Sequence, residues 1–309
     1  MSLAIFIKSA GDNINKENLK DTLSSIVKNT KEEFELHLVL EESQKKVLNG
    51  LKIDKHLGSV KTANPKTSWA EDFNMFFDSV KNTHEWLLYC HDDLEILTPG
   101  WFTKSKKIVG SRQDIGWITY SQPTWYMHYG EPRSQVARPG FHSDRFSYPC
   151  IHECHKYDRG RDWNNKKLMK EKLHLPKKPV KIHGPYSVFN LIKMHNMKKI
   201  GFCEDWNPYT MLIDEDWALE SLKNNLINIW IPNVFYLHPL RWKERKSPDR
   251  FKKQAQKGFF NKWGFNGGTA HITDNEIEYI CERYADTNVP WSRNRLSYDW
   301  EYIEENHNE

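Results

Sequence analysis

Between Trp86 and Phe102 the chain reads WLLYCHDDLEILTPGWF. An apolar run too short for a typical helix ends in His91, Asp92, Asp93 and Glu95, so a strand delivers three carboxylates and an imidazole to its end. Carboxylates this close repel one another unless water, a proton or a cation intervenes. The cluster is therefore a candidate divalent-cation site, with a solvated acidic turn as the alternative. Glu41, Glu42 and Ser43 close a second apolar run in the same way. Asp214, Glu215 and Asp216 stand ahead of the apolar positions Trp217, Leu219 and Leu222, where acids favour a helix start on dipole grounds alone. His238 follows the run Ile227–Leu237 at once.

The elements that must carry these groups alternate. Leu3 to Lys8 reads as a buried strand, and Leu19, Leu23, Ile26 and Val27 recur at helical spacing up to Asn29. Phe34, Leu36, Leu38 and Leu40 alternate as a second strand, followed by a short helix and a strand near Val60. Trp69, Phe73, Phe76, Phe77 and Val80 mark an amphipathic helix leading into Trp86 to Cys90. The order β-α-β-α-β-α-β predicts an α/β fold built on a parallel sheet with helices on its faces, and ligands in such sheets bind beyond the carboxyl ends of the strands. Residues 41–42 and 91–95 belong at that edge.

Pro99 opens a helix running to about Val109, and Ile115 to Tyr120 offers another strand. From Ser121 to Pro179 periodicity gives way to Trp, Tyr, His, Arg, Pro and Gly, the profile of a long irregular insertion, with one helix expected over Lys166 to Leu175. Regular structure resumes with Val180 to Ile192. Asp214 opens a helix, and Ile227 to Leu237 reads as one or two strands broken at Pro232. From Arg241 the chain is basic, then aromatic and acidic; we expect one domain over 1–240 and an extension, 241–309, packed on it.

Composition excludes several classes. The 309 residues carry 45 Lys and Arg against 41 Asp and Glu, a formal charge of +4, too mild and too interspersed to favour nucleic acid. No run approaches the roughly 20 apolar residues of a membrane span, and the opening MSLAIFIKSAGDN does not read as a secretory signal. Peripheral membrane association stays open. Five cysteines without a compact framework suit reduced thiols and a cytoplasmic location. The 13 Trp, 13 Tyr and 15 Phe exceed what a core of this size obviously needs, so packing and ring stacking on a ligand are both available to them.

Four blocks carry a resemblance: the opening strand and helix, Trp69 to Asn74 with its aromatic helix, the strand ending HDDLE before TPGWF, and GFCEDWNPYTMLIDEDWALES before a strand ending LHP. Together they resemble the GT-A fold glycosyltransferases of the family-2-like group, a mixed, mostly parallel Rossmann-like sheet flanked by helices. The resemblance implies transfer of a sugar from a nucleotide-sugar donor to a carbohydrate or other hydroxyl acceptor, with inversion, and a Mn2+ or Mg2+ cofactor at a D-x-D motif. His91 stands where the first Asp of that motif is usual. Asp93 is then the metal ligand, Glu95 and His238 are further ligands, and Asp92 turns to donor ribose or metal-bound water. Asp216 is expected as general base with Glu215 as acceptor binder. Ala10, Asp12, Glu41, Glu42 and Asn74 line the nucleotide pocket by position, although Asn74 could equally fix its helix.

The basic run Arg241, Lys243, Arg245 and Lys246 is either a cover for the diphosphate or a solvated face. Outside the resemblance, Cys150, His152, Cys154 and His155 offer zinc ligands at a spacing too tight to surround one ion easily. The aromatics of the insertion, Trp125, Tyr126 and Tyr129 among them, suit the apolar faces of acceptor sugars. A nucleotidyltransferase on a related sheet and a non-catalytic glycan-binding domain are the rival readings.

Overall fold

Leu3–Lys8 (β1) is apolar on both faces because it is covered on both: Leu3, Ile5 and Ile7 enter one core, Ala4 and Phe6 the other. The structure is a computed structural model that describes residues 2–9, 13–64, 66–121, 178–182, 188–206, 212–237 and 249–264. Around β1 it arranges β2 (Phe34–Leu40), β3 (Leu57–Thr62), β4 (Trp86–Cys90), β5 (Glu95–Ile96), β6 (Ile115–Ser121), β7 (Val180–Ile182), β8 (Phe189–Lys193) and β9 (Ile227–Leu237) in one nine-stranded sheet. The order is β3-β2-β1-β4-β8-β6-β9-β5, with β7 also on β9. β1, β2, β3, β4, β6 and β9 run one way; β5, β7 and β8 oppose them, so the sheet is mixed and mostly parallel.

Helices cover both faces. α1 (Asn13–Asn29) and α3 (Trp101–Val109) lie over the core that holds Leu19, Leu23, Ile26, Trp101 and Phe102. α2 (Trp69–Val80), α4 (Met194–Ile200) and α5 (Ile213–Lys223) close the other. α2 starts in a capping box, Ser68 accepting from the Glu71 amide while Glu71 accepts from that of Ser68, and Lys8 at the end of β1 reaches Asp72 at 2.6 Å. Trp217 gathers Trp69, Phe73, Tyr89 and Trp117, with ring centroids 4.5 to 5.9 Å away, so much of the aromatic excess is core.

The sequence did not separate α4 or the two-residue β5, nor did it show α6 (Asp249–Trp263). β9 is one strand through Pro232. Its register on β6 jumps from Tyr120↔Ile231 to Ser121↔Phe235, and the bulge absorbs the proline, whose carbonyl accepts from Ser121 Oγ at 2.7 Å. α6 docks on α5 beside Trp206, where Gly258 leaves the room: a Cβ there would stand 2.3 Å from the indole. The expected helix over Lys166 to Leu175 and most of the insertion lie outside the described residues. Among those described, no helix is long and apolar enough to cross a membrane.

Candidate functional site

Chain order along the sheet reverses between β1 and β4, and an open α/β sheet places its ligand crevice at such a switch point. The residues that leave those strands are Ser9 and His91-Asp92-Asp93. Ser9 Oγ donates to Asp92 Oδ2, and the buried Gln44 donates through Nε2 to Ser9 Oγ at 2.5 Å. Gln44 in turn accepts from the Glu41 amide at 3.2 Å, within the 3-10 turn Glu42–Leu48 that follows β2. The ends of three parallel strands are thus tied by one polar chain.

A ladder on α1 holds the other side of the acidic turn. Thr22 Oγ1 donates to the Asp92 carbonyl at 2.9 Å and accepts from the Leu94 amide at 3.0 Å. Ser25 Oγ accepts from the Ile96 amide at 3.0 Å, and Asn29 Nδ2 donates to the Ile96 carbonyl at 2.7 Å. Three and four residues apart, these side chains share one helix face, and each is buried because it satisfies a backbone group of the motif segment.

Beyond that clamp, His91 Nδ1 stands 3.8 Å from Asp93 Oδ1, both side chains partly exposed, while the His91 amide donates to the Val188 carbonyl at 2.9 Å. Tyr89 links this turn to α5: its ring meets His91 at 5.6 Å and Trp217 at 5.7 Å. Burial, then the charges of Cys90, Asp214, Asp92 and Asp93, push the Tyr89 phenol well above its ordinary pKa. Asp214, on the helix face of Trp217 three residues on, is thus one of the charges that act on Tyr89, as Asp92 and Asp93 are.

Asp216 points elsewhere. Two positions along a helix turn a side chain by about 200°, and Asp216 Oδ1 accepts from Trp263 Nε1 at 2.8 Å and pairs with Lys262 Nζ at 2.8 Å. Lys262 also pairs with Glu220 at 2.9 Å and Glu204 at 3.3 Å. Burial pushes the Asp216 pKa up to about 6 against the pull of Lys262. Glu215 is buried as well.

Asn74 closes a two-bond ring on the Cys203 backbone, donating to its carbonyl at 2.9 Å and accepting from its amide at 2.8 Å. Exposed Glu42 pairs with Lys45 at 2.8 Å and accepts from Thr62 at 3.2 Å, and Glu41 caps its own turn. Glu95 lines an open groove of about 660 Å³ with Asp21, Ser24, Lys28, Lys104 and Asn233. Its backbone pairs with Leu237, the residue before His238. Ala10, Asp12, His238, the 241–246 basic run and the Cys150–His155 cluster lie outside the described residues. Sequence reasoning missed Ser9, Thr22, Ser25, Asn29, Gln44 and the Lys262–Trp263 pair, all ordinary polar or terminal residues until their partners are known.

No protein-family model matches the sequence. No curated protein matches it. Solved structures do match the fold. A structure of GalNAc-T7 with UDP, GalNAc and Mn2+ superposes with a TM-score of 0.52 at 12% identity, covering 92% of this chain and 54% of that one. The mannosyltransferase PcManGT from Pyrobaculum calidifontis, in complex with GDP-Man and Mn2+, gives 0.51 at 9%, covering 85% and 63%. S. aureus TarS 1–349 in complex with UDP-GlcNAc gives 0.52 at 11%, covering 93% and 74%. The chain spans little more than half the length of the first of these and under two thirds of the second. Likeness at this identity establishes the fold alone: the chain has the GT-A fold of nucleotide-sugar glycosyltransferases.

Proposed function

We propose that the chain is a divalent-metal-dependent glycosyltransferase that moves a sugar from a nucleoside diphosphate sugar to a hydroxyl acceptor with inversion. The observation that carries this reading is the Ser9–Asp92 contact at the β1/β4 switch point, with Asp93 and His91 just beyond it. The neighbours support it, since two hold Mn2+ with UDP or GDP-Man and a third holds UDP-GlcNAc. Hard carboxylate oxygens beside a borderline imidazole fit Mn2+ or Mg2+. Asp93 would hold the ion, with Glu95 and His238 as further ligands, and the bound ion would neutralise the diphosphate as it leaves. Asp92, fixed by Ser9, faces donor ribose or metal-bound water. Ala10, Asp12, Glu41, Glu42 and Asn74 stay assigned to the nucleotide pocket, the last two with their side chains already engaged as described.

For the base we favour Asp214 over Asp216. A base must reach the acceptor hydroxyl, and Asp216 is buried with Oδ1 committed to Lys262 and Trp263. Asp214 stands two positions earlier, about 200° around the helix, and its charge acts on Tyr89 together with those of Asp92 and Asp93. Glu215 remains the acceptor binder, and the insertion 121–179 the acceptor region. The free, buried Cys90 and Cys203 are compatible with the cytoplasmic assignment.

His91 in the first motif position favours one second reading, a GT-A domain that binds glycan without turnover. The assay is release of nucleoside diphosphate from UDP- and GDP-sugars with Mn2+. We expect turnover abolished in Asp93→Ala and reduced about 10²–10⁴-fold in Asp214→Asn, with Asp216→Asn keeping more activity per folded molecule than Asp214→Asn. Full turnover in Asp93→Ala, or pyrophosphate release from a nucleoside triphosphate, sinks the reading. Glycan binding without any turnover selects the second.

A further inference from the structure

We infer that Glu35, His37 and His84 form a second metal site, at the opposite end of the sheet from the donor crevice, whose ligand set takes a first-row transition ion, zinc above all. Glu35 and His37 are two apart on β2 and so face one side, away from the core that takes Phe34, Leu36 and Leu38. The turn after α2 returns His84 to them. Their donor atoms all lie within 4.8 Å of one another. Glu35 Oε2 stands 3.5 Å from His37 Nε2 and 3.4 Å from His84 Nε2. Ligand atoms about 2.0–2.1 Å from a tetrahedral zinc are separated by about 3.4 Å.

Three independent features support a built site. His37 Nε2 is buried without a hydrogen-bond partner, on a residue only 8% exposed, and it is aimed at the Glu35 carboxylate. Each imidazole has its other nitrogen against a hydroxyl, His37 Nδ1 with Ser59 Oγ at 3.0 Å and His84 Nδ1 with Thr83 Oγ1 at 2.9 Å. With a metal on Nε2, the proton sits on Nδ1 and the hydroxyl accepts it, the usual outer partner of a ligating histidine. Gly58 leaves the space, since a Cβ there would stand 2.7 to 2.9 Å from His37 Cε1, His37 Nε2 and Glu35 Oε2. Two nitrogens and one oxygen leave a fourth position to water on the exposed Glu35 side, and the ion would join β2 to the α2–β4 turn.

The test is a zinc titration of the chelator-stripped full chain against a chromophoric competitor, in wild type, Glu35→Gln, His84→Ala and Asp93→Ala. We expect one zinc site weakened roughly tenfold or more by each of the first two substitutions and unaffected by Asp93→Ala, which separates it from the donor crevice. Glu35 is half exposed, so Glu35→Gln keeps the fold, checked by circular dichroism, and decides the matter if His84→Ala does not fold. Zinc binding unchanged in Glu35→Gln, lost only in Asp93→Ala, or absent from the wild type overturns the site.

Discussion

Asp214 and Asp216 share a helix turn but not a direction, and that difference decides what each can do. Asp216 sits under Lys262 and Trp263, where its carboxylate holds α6 onto α5. Its folded-state pKa of about 6 lies above the ordinary 3.8, so between those values the folded chain holds a proton that the unfolded chain has released. Stability from this group is therefore present below about pH 4, falls as pH rises through about 6 and is gone above it. Asp216→Asn removes the titration. Its melting temperature should change less between about pH 4 and 7 than that of the wild type, read by scanning calorimetry; parallel curves would mean that Asp216 is not seated in this pair.

At the scale of elements, α1 matters less for its apolar face than for the polar positions between. Leu19, Leu23, Ile26 and Val27 were legible as a helix because apolar residues repeat at its period. Thr22, Ser25 and Asn29 were not, because burial depends on partners some seventy residues away, at Asp92, Leu94 and Ile96. Thr22→Val should leave the Asp92 carbonyl and the Leu94 amide unpaired, costing about 1–3 kcal/mol, and should weaken nucleotide binding by loosening the acidic turn. Thr22→Ser should restore both. Urea unfolding and a nucleotide titration on the two variants check this; equal behaviour of Val and Ser would remove the clamp from the account.

Across the whole molecule, the alternation of strands and helices up to Ile115 was readable because each element there carries its own period. The far half was less so. β5 is two residues long, and α6 sits past a basic segment that gives no sign of returning to α5. The strand ends that assemble the crevice were legible as acidic runs, whereas Ser9 and Gln44 gave no signal, since a serine after a strand looks like any turn residue. Sheet order and layered cores survive where identity to neighbours is 9 to 12%, because burial pattern rather than residue identity specifies them. Function lives in the site carried by such a fold, so the glycosyltransferase reading stands or falls on the crevice between β1 and β4. Calorimetric titration of UDP and GDP into the full chain, with and without Mn2+, tests it most directly. One of them should bind only with Mn2+ present and should fail to bind Asp93→Ala; binding indifferent to both the ion and Asp93 would rule out a metal-assisted donor site in this crevice.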